Sequence, residues 1–103
     1  MEKEILFYCV ESKKNYWQKH SLVRMLVRGI YKDEVRNVLL KGNVIEEYQD
    51  DKPYPSMLML GINEQNQPLH VVASMDKQNR RCYIITVYRP DANHFEDDYK
   101  TRK

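Results

Sequence analysis

An α+β fold is expected from this sequence: two helices within residues 15–42 packed on one face of a four-stranded antiparallel sheet within residues 43–90. Three features point to it. Apolar residues recur at helical spacing up to Gly42, short extended runs rich in β-branched and aromatic residues follow, and the connections between those runs suit an antiparallel meander. Neither layer can bury its apolar side alone, so the helices must cover the sheet.

Within Tyr16 to Arg28, Leu22, Met25 and Leu26 take the i, i+3, i+4 positions of one helical face, and Gly29 follows as a left-handed cap. Lys32 to Lys41 repeats the pattern with Val35, Val38 and Leu39 and is closed by Gly42. Ile30 and Val35 are spaced for a hydrophobic staple, and Glu34 stands where a capping box places its carboxylate. Tyr31 occupies the N-cap, where serine would hold the helix better by ~1 kcal/mol. The expected strands are Val44 to Tyr48, Ser56 to Ile62, Leu69 to Met75 and Arg81 to Tyr88. Face matching sets Leu69, Val71, Ala73 and Met75 against Tyr83, Ile85 and Val87. That leaves His70, Val72 and Ser74 beside Cys82, Ile84, Thr86 and Tyr88 on the more polar face, with His70 near Thr86. Residues 1–14 are expected as an N-terminal extension and 91–103 as a polar tail that Phe95 and Tyr99 dock on the body.

With 103 residues, 42% hydrophobic and 31% charged, the chain suits a single domain with one core. Seventeen Lys and Arg balance fifteen Asp and Glu, which excludes disorder driven by net charge. No apolar stretch approaches the ~20 residues of a membrane helix. Met1-Glu2-Lys3-Glu4, ahead of Ile5 to Val10, offers neither a basic leader nor a small-residue cleavage site, so a cytoplasmic location is expected. Cys9 and Cys82 form no C-x-x-C pair and are expected as separate reduced thiols. Charge is uneven: residues 1–42 hold nine Lys/Arg and five Asp/Glu, net +4, whereas residues 43–103 hold eight and ten, net −2. A basic first part points to an anionic partner.

Trp17, His20, Arg24 and Arg28, three or four residues apart, would share one side of the first helix, roughly opposite its apolar stripe. A basic, aromatic face of this kind holds a phosphate by charge while stacking a base. The same spacing equally describes a solvated helix face with a half-buried tryptophan. On the sheet, His70, Thr86 and Tyr88 offer an imidazole, a hydroxyl and a phenol, or else are ordinary strand residues. His20, His70 and His94 lack H-x-x-x-H spacing and paired cysteines, so neither metal nor cofactor is expected. Without a Gly-rich phosphate loop, nucleophile elbow or dinucleotide fingerprint, nucleotide hydrolysis and acyl transfer are disfavoured.

The string His20-Ser-Leu-Val-Arg24-Met-Leu-Val-Arg28-Gly-Ile30, with Glu34-Val35, Gly42-x-Val44-Ile45, Tyr54-Pro55-Ser56, Pro68-Leu69-His70-Val71-Val72 and Ile85-Thr86-Val87-Tyr88-x-Pro90-Asp91, resembles a group of small prokaryotic proteins catalogued as a domain of unknown function. The resemblance runs from about Lys19 through the Phe95 to Tyr99 segment; Tyr31 departs from the group's serine-like cap. The group is similar in predicted fold to the RelE, barnase, EndoU and colicin ribonucleases, and its members are often encoded beside a small antitoxin with a zinc ribbon and a DNA-binding domain. The resemblance therefore implies the toxin of a type II toxin–antitoxin pair, a metal-independent endoribonuclease with RNA as substrate and a cognate antitoxin as partner. RNA cleavage without metal needs a base for the 2′-hydroxyl, an acid for the leaving oxygen and a cation for the phosphorane charge. Carried onto this chain, His70 becomes the general acid or base, Arg24 the transition-state cation, His20 the second proton carrier, and Thr86 and Tyr88 orienting donors. Trp17, Arg28, Tyr54 and Ser56 would bind substrate. That His20 and Arg24 meet His70, Thr86 and Tyr88 in one concave site is an implication of the resemblance alone. The rival expectation is a non-catalytic RNA- or protein-binding module of the same fold.

Overall fold

The change of period at Gly42 separates two layers. A computed structural model describes residues 3–11 and 15–90. In chain order they form α1 (Lys3–Glu11), β1 (Asn15–Trp17), α2 (Lys19–Arg28), α3 (Lys32–Lys41), β2 (Asn43–Tyr48), β3 (Ser56–Ile62), β4 (Pro68–Asp76) and β5 (Arg81–Tyr88). The sheet order is β1-β5-β4-β3-β2, antiparallel throughout except that β1 runs parallel to β5. The fold is α+β as expected, with a fifth strand. The tail expected to dock through Phe95 and Tyr99 lies outside the described residues.

Two expectations at the N-terminal side are corrected. Tyr16 and Trp17 do not begin a helix: they pair with Tyr83 and Ile84 in β1, and α2 starts at Lys19. Residues 3–11 are part of the body, because α1 sends Leu6 and Cys9 into the core, both fully buried.

The helix-covered sheet face presents Met57, Met59, Leu69, Val71, Ala73, Met75, Cys82, Ile84 and Val87 to Met25, Ile30, Val35, Val38 and Leu39. Paired strand residues share a face. The pairs Leu58↔Val72, Leu60↔His70, Val72↔Thr86, His70↔Tyr88 and Ser74↔Tyr83 therefore occupy the opposite face. The expected face matching of β4 and β5 holds for Val71 and Val87, but the register is shifted from the expected one, with His70 opposite Tyr88 and Val72 opposite Thr86, and a bulge then leaves Ile85 without a partner in β4 and sets Ala73 against Ile84. Cys82 and Ile84 thus enter the core and Tyr83 leaves it, the reverse of what strict alternation implies.

α3 buries Val35, Val38 and Leu39 as its spacing predicts. Gly42 is required where α3 meets β3, because a Cβ there would stand 2.5 Å from the Val38 carbonyl oxygen and 2.6 Å from that of Leu60. Glu34 makes no capping box: its carboxylate takes two hydrogen bonds from Arg89, at 2.9 and 3.0 Å, and ties α3 to the end of β5. Gly29 adopts the expected left-handed conformation at φ 68°, with Ile30 N–H donating to the Met25 carbonyl at 2.9 Å.

α2 departs further from expectation. Its buried residues are Ser21 and Met25, Leu22 is half-buried, and Leu26, expected in the core, is 82% exposed. The reason lies in the edge of β5. β1 covers that edge only as far as Trp17↔Ile84. Beyond it, Ser21 Oγ donates to the Ile85 carbonyl at 2.6 Å and Arg28 Nη1 to the Val87 carbonyl at 2.7 Å. Backbone groups on an uncovered edge need partners, and α2 supplies them from its polar side.

Candidate functional site

Around a helix turning about 100° per residue, the side chains of α2 succeed one another as Met25, Ser21, Arg28, Arg24, His20. Met25 points into the core on the helix side of the sheet, and Ser21 and Arg28 bond the β5 edge. Arg24 and His20, both exposed, therefore come next beyond that edge, on the side of the sheet face that carries Thr86 and Tyr88. Among the described residues neither makes a hydrogen bond or an ion pair, and none joins them to His70, Thr86 or Tyr88.

His70, Thr86 and Tyr88 share one face, with His70 directly opposite Tyr88. The His70 Nδ1 lies 3.2 Å from the Tyr88 hydroxyl, and the two rings meet edge to face at 5.2 Å. His70, which the resemblance makes the general acid or base, is completely buried and out of reach of solvent. Its place between Leu60 and Tyr88 makes it a residue that orients the phenol.

The expected substrate-binding residues separate into distinct settings. Arg28 is committed to the Val87 carbonyl. Trp17, half-buried at the end of β1, packs against the core and carries Lys32 Nζ at 5.4 Å and Arg36 Cζ at 5.9 Å from its ring centre, so it belongs to α3's surroundings and not to the basic side of α2. Ser56 is buried at the start of β3 and donates to Asp51. Tyr54 stacks on Tyr83 at 5.5 Å with 4° between the ring planes, and Tyr83 stacks in turn on Tyr16 at 5.5 Å and 27°. Arg81 stands 5.9 Å from the Tyr16 ring. The Asp76 carboxylate beside Tyr54 pushes its phenol above the ordinary value, with burial and Tyr83 adding to the effect. Asp76 itself is held below the usual carboxylate value by the bond it accepts from the Asn79 side-chain amide, 2.7 Å.

This three-tyrosine ladder with its arginine is the feature that spacing missed. Positions 16, 54 and 83 belong to no common period, and only the register Tyr16↔Tyr83 and the loop before β3 bring them together. Cys9 and Cys82 are both buried and form no disulfide, and Cys9 Sγ donates to the Arg80 carbonyl at 3.0 Å. Burial pushes the Cys82 thiol well above the ordinary range, the Cys9 thiol beside it adding to the shift, so Cys82 does not behave as a reactive nucleophile. Among the described residues no group of three His, Cys, Asp or Glu is placed to hold a metal ion, and no helix is long and apolar enough to cross a membrane.

Comparison with known families matches residues 17–89 to one described as Domain of unknown function (DUF4258). Comparison with curated proteins and with solved structures finds no match.

Proposed function

As the chain belongs to the DUF4258 family, we propose its function from its own residues: a metal-independent endoribonuclease, the toxin of a type II toxin–antitoxin pair. Its substrate is RNA, and its partner is a cognate antitoxin with a zinc ribbon and a DNA-binding domain. The reading carries forward the likeness to RelE-type and barnase-type ribonucleases that the sequence resemblance implies, and one arrangement supports it: Ser21 and Arg28 pin α2 to the β5 edge, which turns Arg24 and His20 toward the face of Thr86 and Tyr88.

The chemistry then divides by exposure. His20 takes the proton of the 2′-hydroxyl as it attacks the phosphorus, or returns one to the departing 5′-oxygen. Arg24 meets the negative charge that develops on the phosphorane, and Thr86 and Tyr88 donate hydrogen bonds to its oxygens. His70, buried, acts through Tyr88 as a positioning residue. The Tyr16, Tyr83 and Tyr54 ladder with Arg81 offers a stacking platform for a neighbouring base on the same face as Tyr88.

The test is RNA cleavage in the presence of EDTA by the purified chain. Wild type is expected to cut. Arg24→Ala should lower turnover about a hundredfold or more with RNA affinity little changed, because the lost interaction forms chiefly in the transition state. A second reading, a non-catalytic binding module, is favoured by the complete burial of His70. Wild-type chain that binds RNA and leaves it intact would establish that reading and remove the nuclease.

A further inference from the structure

A helix that covers a protein normally turns its apolar stripe inward. α2 turns its own outward: Val23 is 53% exposed, Leu26 82% and Val27 81%, at the i, i+3, i+4 spacing of one helical ridge. Tyr31, 77% exposed, stands just beyond the Gly29 cap. Single exposed apolar residues are ordinary, whereas a contiguous set of this kind marks an interaction surface.

We propose that the outer face of α2 is the docking surface for an amphipathic, acidic helix of a partner protein. Charge selects this occupant over a second copy of the chain. α2 carries Lys19, His20, Arg24 and Arg28 and contains no acidic residue. Lys19, His20 and Arg24 flank the stripe and form no ion pair or hydrogen bond among the described residues. The nearest acids of α3 are already engaged, Asp33 with Arg36 at 3.0 Å and Glu34 with Arg89. Two copies meeting through this ridge would set cation against cation and bury the apolar contact at the cost of like-charge repulsion. An occupant with carboxylates beside its apolar positions relieves that charge, and a helix presenting residues at i, i+3, i+4 and i+7 matches the ridge in shape. Seated there it also covers Arg24 and His20, so it excludes RNA; this consequence rests on the nuclease reading above.

The test uses a displayed library of helices with apolar residues at i, i+3, i+4 and i+7 and either glutamate or lysine on the flanks, selected against the full chain. Expected are enriched helices with glutamate flanks whose affinity falls about tenfold or more, ~1.4 kcal/mol, for Leu26→Asp or Val27→Asp. Both variants should keep the wild-type melting midpoint and RNA cleavage, since both positions face solvent. No enrichment, enrichment of lysine-flanked helices, or binding indifferent to Leu26→Asp would overturn the proposal. So would a wild-type dimer that Leu26→Asp dissolves, because the second copy would then be the occupant. The two readings fail separately. A chain that captures glutamate-flanked helices through Leu26 but leaves RNA intact sustains the docking surface and removes the nuclease, while cleavage undiminished under saturating helix removes the mutual exclusion.

Discussion

α2 and α3 are matched in many respects. Each has ten residues, begins at an extended residue with no side-chain capping bond, ends at a glycine and carries apolar residues at i, i+3, i+4. Yet α3 buries Val35, Val38 and Leu39, whereas α2 buries Ser21 and Met25 and exposes Val23, Leu26 and Val27. The difference follows from what each meets. α3 lies on a sheet face, where apolar burial yields the most. α2 lies against a strand edge, where the unmet carbonyls of Ile85 and Val87 place a higher premium on Ser21 and Arg28 than on leucine.

The sharpest way to break this contrast is the same substitution in both helices. Leu39→Ala, at a buried position, is expected to cost about 3 kcal/mol and to lower the melting midpoint by more than ~10 °C. Leu26→Ala is expected to stay within about 0.5 kcal/mol of wild type. Equal losses in thermal unfolding would mean that α2 buries its stripe after all. Ser21→Ala comes next, at about 1–3 kcal/mol in denaturant titration, because it leaves the Ile85 carbonyl without its donor inside the α2–β5 contact. Glu34→Ala should cost less, about 1 kcal/mol, since the Arg89 pair it breaks is only half-buried. If Glu34→Ala exceeded Ser21→Ala, the edge would not be what holds α2.

The smallest expected effect is a pH dependence at the turn that joins β4 to β5. Asp76 titrates below its ordinary value in the folded chain, so it contributes stability above the usual carboxylate range, near pH ~4. That contribution is lost as the pH falls through the folded value. Asn79→Ala removes the donor chiefly responsible, and should flatten the acid side of the stability curve by lowering stability at neutral pH while leaving the most acidic end nearly unchanged. A steeper acid limb in the variant would show that another carboxylate dominates.

Much of the fold was legible because period reports burial. α3 and β3 have the expected bounds, and β2, β4 and β5 lie within a residue of them. What escaped reading has local causes. Ile5 to Val10 is an unbroken apolar run, which periodicity cannot assign to helix or strand, so α1 looked like an extension. β1 has three residues, too few to show alternation. The inverted α2 was hidden because spacing identifies a stripe without saying what faces it. At the site, His20 and Arg24 were readable from helical spacing and the His70–Tyr88 neighbourhood from strand pairing, but the burial of His70 and the tyrosine ladder depend on tertiary register.

The unpaired Ile85 has a consequence for how the chain tolerates change in length. In an unbroken strand Thr86 and Tyr88 would keep step with Cys82 and Ile84, pointing a hydroxyl and a phenol into the apolar interior while Val87 turned outward. One supernumerary residue shifts the phase of everything after it, and its carbonyl is also the one to which Ser21 is moored. Deleting it would bring β5 back to unbroken alternation and leave Thr86 and Tyr88 on the face they now occupy, so the loss would fall on the helix attachment through Ser21. The extra residue of β5 is therefore held by what α2 takes from its carbonyl and not by the phase of the strand, whereas the exposed 64–67 turn between β3 and β4 has room for insertion.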